Sequence, residues 1–225
     1  MSNMLEIRGL KKSFGGIDVL DIPELSNEKG GRCALIGANG SGKTTLLRIL
    51  AGVLAPDEGK VRIMTDKVSY MPQKPYFFDF SVEKNIALAV RDRKNAKARA
   101  NAALSALGLE SIAARRGSSL SGGEAQRMAF ARVLAGRNEL ILLDEPTAAA
   151  DLIGCERMEK ALDSLVAESG ATLVFATHTP AQALKLAREV IVLDKGRVAE
   201  RGEVRQLLYS PRSECAKSFL SHWRL

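Results

Sequence analysis

The segment Gly37-Ala38-Asn39-Gly40-Ser41-Gly42-Lys43-Thr44 matches the pattern G-x-x-x-x-G-K-[ST], a spacing suited to cradling phosphates. Its glycines let the backbone curl until successive N–H groups point inward, at the positive end of the helix that follows. Lys43 can reach the β- and γ-phosphates of a nucleoside triphosphate, and the Thr44 hydroxyl can ligate Mg²⁺. Further along, the apolar run Leu140-Ile141-Leu142-Leu143 ends in Asp144-Glu145. An acid at the end of a central strand can hold Mg²⁺, and a second acid directly after it can orient or deprotonate water. A third segment, Leu120-Ser121-Gly122-Gly123-Glu124-Ala125-Gln126-Arg127, opens with a hydroxyl residue and two glycines. At a helix start these offer a hydroxyl and free N–H groups, which make a second anion site. The plainer reading is an N-cap with Ser121 as the cap residue, and the two can hold together.

The elements needed to position these groups are visible in the apolar pattern. Cys33-Ala34-Leu35-Ile36 reads as a buried parallel strand entering the glycine-rich loop. A helix from about Lys43 to Ala51 follows, ended by Gly52 and Pro56. Met4–Leu10 alternates, and Phe14-Gly15-Gly16 turns the chain. Leu140–Leu143 and Thr172–Ala176 read as buried strands, and Val190–Leu193 before Lys195-Gly196 reads as a hairpin arm. Between them, Val82 to Arg137 is alanine-rich, with Asn95–Leu107 and Gly122–Ala135 as its best helices. Strand-helix alternation interrupted by a helical block predicts an α/β core with an inserted α subdomain. The expected division is a nucleotide-binding core of residues 1–81 and 138–225 around a helical subdomain of 82–137.

Composition narrows the setting. The chain has 225 residues, 46% hydrophobic and 26% charged, with a formal net charge of +7, the make-up of an ordinary globular protein. No apolar stretch approaches the roughly 20 residues of a membrane span, and no basic region followed by an apolar core opens the chain. A soluble, cytoplasmic protein is therefore expected. Cys33, Cys155 and Cys215 are far apart and lack metal-ligand spacing, which fits a reducing compartment. The densest basic stretch, Arg91 to Arg99, has no aromatic residue to stack on a base. It reads as a solvated helix start, or else a face held near anionic lipid, rather than a nucleic-acid site.

The Leu120–Arg127 segment closely resembles the signature sequence of ABC ATPases, and other motifs of that family fall in order along nearly the whole chain. The resemblance implies a P-loop NTPase core, a mixed sheet flanked by helices, with an N-terminal antiparallel β region and an inserted helical subdomain bearing the signature. It implies ATP and Mg²⁺ as cofactors. Gln73, in Tyr70-Met71-Pro72-Gln73, looks like the Q-loop glutamine that links Mg²⁺ and water to the permease-contacting region. His178 looks like the switch histidine that contacts the γ-phosphate, and Glu145, placed beside that phosphate, is the expected general base for water. Asp151 closes a loop similar to the D-loop, in which Ala150 stands where a larger apolar residue is usual. Phe14 takes the place of the aromatic that stacks on adenine, more often tyrosine. The nucleotide would lie along Gly37 to Thr45, with Lys43 active in catalysis. Thr44, Gln73 and Asp144 would serve the metal. The signature residues Ser121, Gly122 and Gly123 would grip the γ-phosphate bound to a partner subunit.

The same resemblance implies a head-to-tail homodimer with two shared ATP sites, driving a separate transmembrane permease from the cytoplasmic face of the membrane. An importer served by an extracytoplasmic binding protein is the leading expectation. The run Gln73 to Val82 and the ending Ser210 to Leu220 are similar to importer subunits for tungstate, molybdate and phosphate, so a tungstate-like oxyanion is the expected cargo. A non-transport ABC ATPase that signals across a membrane, of the cell-division type, is the alternative. A nucleic-acid-processing ABC ATPase is disfavoured because the insert before the signature is short, and no nucleic-acid partner is expected. Because 47 residues follow His178, no regulatory domain in cis is expected. Five of eleven aromatics fall between Tyr70 and Phe80. If Tyr76, Phe77, Phe78 and Phe80 lie on a strand, alternate rings are buried and the rest face outward as a partner surface.

Overall fold

In the computed structural model, which describes residues 2–223, the chain opens with a long antiparallel hairpin. β1 (Asn3–Phe14) pairs with β2 (Ile17–Glu28), and the two-residue turn between them is Gly15-Gly16. Both turn residues have positive φ, +57° and +80°, as the hairpin turn that matches strand twist requires. Glycine takes that conformation without steric cost. β4 (Glu58–Ile63) joins the other edge of β1, completing a three-stranded antiparallel sheet.

A second sheet carries the remaining strands. They are β3 (Arg32–Ile36), β5 (Val68–Met71), β6 (Leu140–Asp144), β7 (Thr172–Ala176), β8 (Glu189–Asp194) and β9 (Arg197–Glu203). Their order is β5-β6-β7-β3-β8-β9, parallel throughout except for the β8–β9 hairpin. The mixed sheet is thus as the resemblance implied. Every residue of β6 and β7 is buried, because both faces of the sheet are covered. Leu140 and Leu142 point to a cluster shared with the N-terminal sheet and the helix α1 (Lys43–Leu50). Ile141 and Leu143 point to the opposite cluster, shared with the helices. That two-sided burial explains runs of apolar residues without polar alternation.

Residues 82–137 contain α2 (Val82–Ala87), α3 (Ala96–Leu107) and α4 (Gly122–Ala135), and none of the strands. Their buried side chains, such as Ile86, Leu104 and Phe130, belong to the same cluster as Ile141 and Phe175 of the sheet. The helical block is therefore packed onto the sheet through one continuous core. α5 (Leu152–Ser169) is the longest helix. Its Gly154, Met158, Leu162 and Val166 bury one face at a spacing of four. α6 (Pro180–Leu186), α7 (Val204–Tyr209) and α8 (Glu214–Leu220) complete the chain. Among the described residues no helix is long and apolar enough to cross a membrane.

The aromatic run faces outward as expected, but not by the alternation of a strand. Residues 76–80 do not form a strand, and Tyr76, Phe77, Phe78 and Phe80 are all exposed, by 75%, 46%, 57% and 39%. The reason is a buried asparagine in α2. Asn85 accepts from the Phe78 N–H at 2.9 Å and donates to the carbonyls of Phe78 and Phe80 at 2.9 and 3.0 Å. Arg132 of α4 donates to the Tyr76 carbonyl and to Asn85. The loop is fastened by its backbone, so its rings need not alternate into a core.

Candidate functional site

The parallel strands converge on one edge, and the motif residues sit at or just beyond their carboxyl ends. Gly37 follows β3, Gln73 lies two residues past β5, Asp144 ends β6 and His178 lies two past β7. This is where open α/β sheets present their ligand crevice. A cleft of about 220 Å³ opens there, lined by Val19, the loop Asn39–Thr45, Gln73, Glu145 and His178.

The phosphate loop is shaped by what glycine permits. Gly37 has φ +141°, and a Cβ there would collide with the Leu193 carbonyl oxygen of β8. Gly42, at φ +103°, would place a Cβ 2.7 Å from Leu20 Cδ2 of β2. The loop is thereby clamped between the two sheets. Val19, which no sequence motif marks, lines the cleft next to Gly42, where an added Cβ would stand 3.0 Å from the Val19 carbonyl oxygen. Lys43 is buried, and its Nζ donates to the carbonyls of Gly37 and Ala38 at 2.8 and 2.9 Å. Burial pulls its pKa below the ordinary lysine value, and the nearby carboxylates of Glu145 and Asp144 oppose that shift.

Asp144 is almost completely buried, and its Oδ2 has no hydrogen-bond partner. Burial pushes its pKa above the ordinary aspartate value, the Thr44 hydroxyl opposes this, and Glu145 adds to it. A buried, unpartnered carboxylate oxygen is costly, and a hard cation is the ligand that would relieve it. The donors available, Asp144, the Thr44 hydroxyl and the amide oxygen of Gln73 in the cleft lining, are hard oxygens too few for an all-protein cage. That suits Mg²⁺, which keeps waters and takes substrate phosphates as further ligands. The residues present therefore fit the ion.

Glu145 is one of two non-glycine residues with positive φ among the described residues, at +48°. Its carboxylate lies 2.5 Å from His178 Nε2 through one oxygen. The other oxygen accepts from Gln73 Nε2 at 3.2 Å. The structure thus gathers Lys43, Thr44, Gln73, Glu145 and His178 around one cleft, with Asp144 buried beside Thr44 and Glu145.

Ser121, Gly122, Gly123, Asp151 and Phe14 do not line it. Ser121 caps α4 in a full capping box: its Oγ accepts from the Glu124 N–H at 3.3 Å, and Glu124 Oε2 accepts from the Ser121 N–H at 2.8 Å. Gly122 and Gly123 form the first turn of that helix. Asp151 caps α5, its Oδ1 accepting from the Gly154 N–H at 2.7 Å. Phe14 stands half-exposed at the hairpin tip with Lys12 Nζ 5.3 Å from its ring centre. Ser121, Gly122, Gly123, Asp151 and Phe14 are the residues expected to act across a dimer or on the base.

The profile described as ABC transporter matches residues 20–148, more than half of the chain. The chain is an ATP-binding member of the ABC transporter family. An aliphatic sulfonates import ATP-binding protein of Nocardia farcinica is 40% identical over 87% of this cassette, which covers 80% of it. An Fe(3+) ions import ATP-binding protein of Pseudomonas fluorescens is 37% identical over 97% of the chain, which spans 66% of that protein's length. Among solved structures, the dimeric post-hydrolysis state of an ATP-binding cassette bound to ADP and Pi aligns with a TM-score of 0.82. It is 28% identical and covers 90% of this chain and 99% of that one. ATP-binding members of the family use ATP with Mg²⁺ and hydrolyse it, and the cleft of this cassette holds the donor set that such chemistry needs.

Gln126 is a further residue at the site that no motif role marks in the sequence. It is buried on α4 with both ends of its amide engaged beside Glu145. A polar residue at an inward helix position was the available signal.

Proposed function

We propose that two copies of this chain, associated head to tail, hydrolyse ATP at two shared sites and so drive a separate membrane permease. The observation that carries this reading is the division of the motif residues. One cleft gathers the phosphate loop, Gln73, Glu145 and His178, whereas the Ser121 helix start lies outside its lining and would serve a second copy. Within the cleft, Lys43 and the loop N–H groups hold the β- and γ-phosphates. Asp144 and Thr44 would hold Mg²⁺, which when bound would supply positive charge beside the transferred phosphoryl group. Glu145 accepts the proton of the attacking water, His178 holds the γ-phosphate side and Gln73 the water side. Ser121, Gly122 and Gly123 of the partner close the site against the γ-phosphate, Asp151 borders it, and Phe14 stacks on adenine.

The complex would sit on the cytoplasmic face of the membrane, with permease subunits and an extracytoplasmic binding protein as partners. Import is supported by relatives named as import ATP-binding proteins, one for Fe(3+) and one for sulfonates. Those cargoes are a cation and an oxyanion, so a shared cassette does not select between them. The narrower reading, a tungstate-like oxyanion, rests on the sequence resemblance.

Sharing of the site is tested by mixing two inactive variants. Lys43→Ala disables the phosphate loop of one copy, and Ser121→Arg blocks the helix start of the other. Each variant alone should lose nearly all turnover, while an equimolar mixture regains activity from the one intact site of the mixed dimer. A mixture as inactive as its components, with exchange of subunits demonstrated, would sink the proposal.

A further inference from the structure

Gln126 is 1% exposed and makes two hydrogen bonds of good length. Its Nε2 donates to the Glu145 carbonyl at 2.9 Å, and its Oε1 accepts from the Ala149 N–H at 2.7 Å. The segment it grips is the one in an unfavourable conformation. Glu145 has φ +48°, a region that non-glycine residues hold only where surrounding bonds over-determine it. The core sheet supplies one such bond, from the Glu145 N–H to the Ala176 carbonyl of β7 at 3.0 Å, and the loop itself supplies another from the Ala148 N–H at 3.2 Å. The hold from the helical block comes through Gln126.

The position of Gln126 on its helix gives this hold a consequence. It lies in the second turn of α4, whose first turn is Gly122 and Gly123 capped by Ser121. The helix start also leans on the same loop, because a Cβ on Gly123 would stand 2.9 Å from the Ala149 carbonyl oxygen. A helix is stiff over one turn, about 5.4 Å of rise. Any movement of its first turn is therefore delivered to the backbone of Glu145 and Ala149.

We propose that Gln126 is a positioning residue for Glu145, and that through it the signature helix sets the geometry of the catalytic base in its own subunit. This rests on the reading of Glu145 as the base and of Ser121–Gly123 as acting on the partner's nucleotide. Closure around the partner's ATP then reaches the local base by two hydrogen bonds, and the two sites of the dimer become coupled. The competing account is a buried glutamine that only fastens a helix to a loop, in which case its loss costs stability alone.

Gln126→Met keeps length and volume and removes both bonds. In the full-length protein with Mg²⁺-ATP, kcat should fall by roughly 10²-fold, the scale of a misplaced catalytic group, with KM for ATP changed less than about twofold. Val166→Ala, in the core face of α5, is the stability control, and should lower Tm with kcat retained. In a Glu145→Gln background the added Gln126→Met change should leave the residual single-turnover rate where it was, because the two act as one unit. If Gln126→Met does not fold, Gln126→Glu keeps the Ala149 bond, removes the donor to Glu145 and should show the same kcat loss. Wild-type kcat in the folded variant, or a further drop in the Glu145→Gln background, would overturn the inference. A Glu145→Gln variant that hydrolyses ATP normally would overturn the reading of Glu145 itself, and the two failures are thus separable.

Discussion

At the scale of single residues, the site holds groups whose burial is costly until a ligand arrives. Asp144 is the clearest. Its Oδ2 is buried and unpartnered, and burial raises its pKa. A carboxylate whose folded pKa lies above its unfolded value subtracts stability at pH above that folded value, and the penalty is relieved as pH falls through it. Asp144→Asn should therefore raise the Tm of the nucleotide-free protein by a few degrees at pH 8, with the gain over wild type shrinking as pH is lowered. The same variant should lose the stabilisation that wild type gains from Mg²⁺-ATP. Thermal melts of both proteins across pH, with and without Mg²⁺-ATP, check this. Equal or lower stability of the variant at high pH would contradict the assignment of a strained, metal-ready carboxylate.

Secondary elements decide where such residues meet. The carboxyl ends of β3, β5, β6 and β7 lie side by side only because the sheet order is β5-β6-β7-β3, which sequence order does not reveal. The phosphate loop is held at this edge by a close approach of backbones. At Gly37 a side chain would collide with the Leu193 carbonyl, and φ is +141°. Gly37→Ala should therefore cost about 1–3 kcal/mol from backbone strain alone, and more if the loop is displaced from β8. ATP affinity should drop with it, since the loop N–H groups no longer converge. Urea unfolding together with nucleotide binding measures both. An alanine variant with wild-type affinity and unchanged midpoint would show that the loop geometry is not set by this contact.

For the whole molecule, the exposed rings at Tyr76, Phe77, Phe78 and Phe80 are an outward apolar feature beside the Gln73 segment. Phe78 and Phe80 stack with centroids 6.1 Å apart, and Lys84 Nζ lies 4.0 Å over the Phe80 ring. The backbone beneath them is locked by Asn85 and Arg132, so substitution of a ring leaves that framework in place. Such a patch, rimmed by charge, suits a partner surface, and the run begins three residues after Gln73. Phe78→Asp should keep the fold, with Tm within a few degrees of wild type, and keep ATP hydrolysis in the isolated protein. Capture of the permease subunits in pull-down should weaken and transport should fail. Normal transport by this variant would exclude the loop from coupling, and unfolding would return the ring to the core.

Much of this was legible in the sequence, and for identifiable reasons. The phosphate loop, Asp144-Glu145 and the Ser121–Gly123 helix start are local patterns, because turns, caps and strand ends are set by neighbours a few residues apart. The helix Gly122–Ala135 and the strand Thr172–Ala176 lie where their apolar patterns put them. The sequence also determined the fold class through strand-helix alternation around a helical block. Tertiary structure decided the rest. The bond from His178 to Glu145, the grip of Gln126 on that same residue and the outward display of four aromatics all join segments far apart in the chain. Each depends on which strands are neighbours and on which buried polar group must find a partner. Burial turned Asn85 and Gln126 into fasteners, because a polar side chain out of water has to be paired, and no local pattern records with whom.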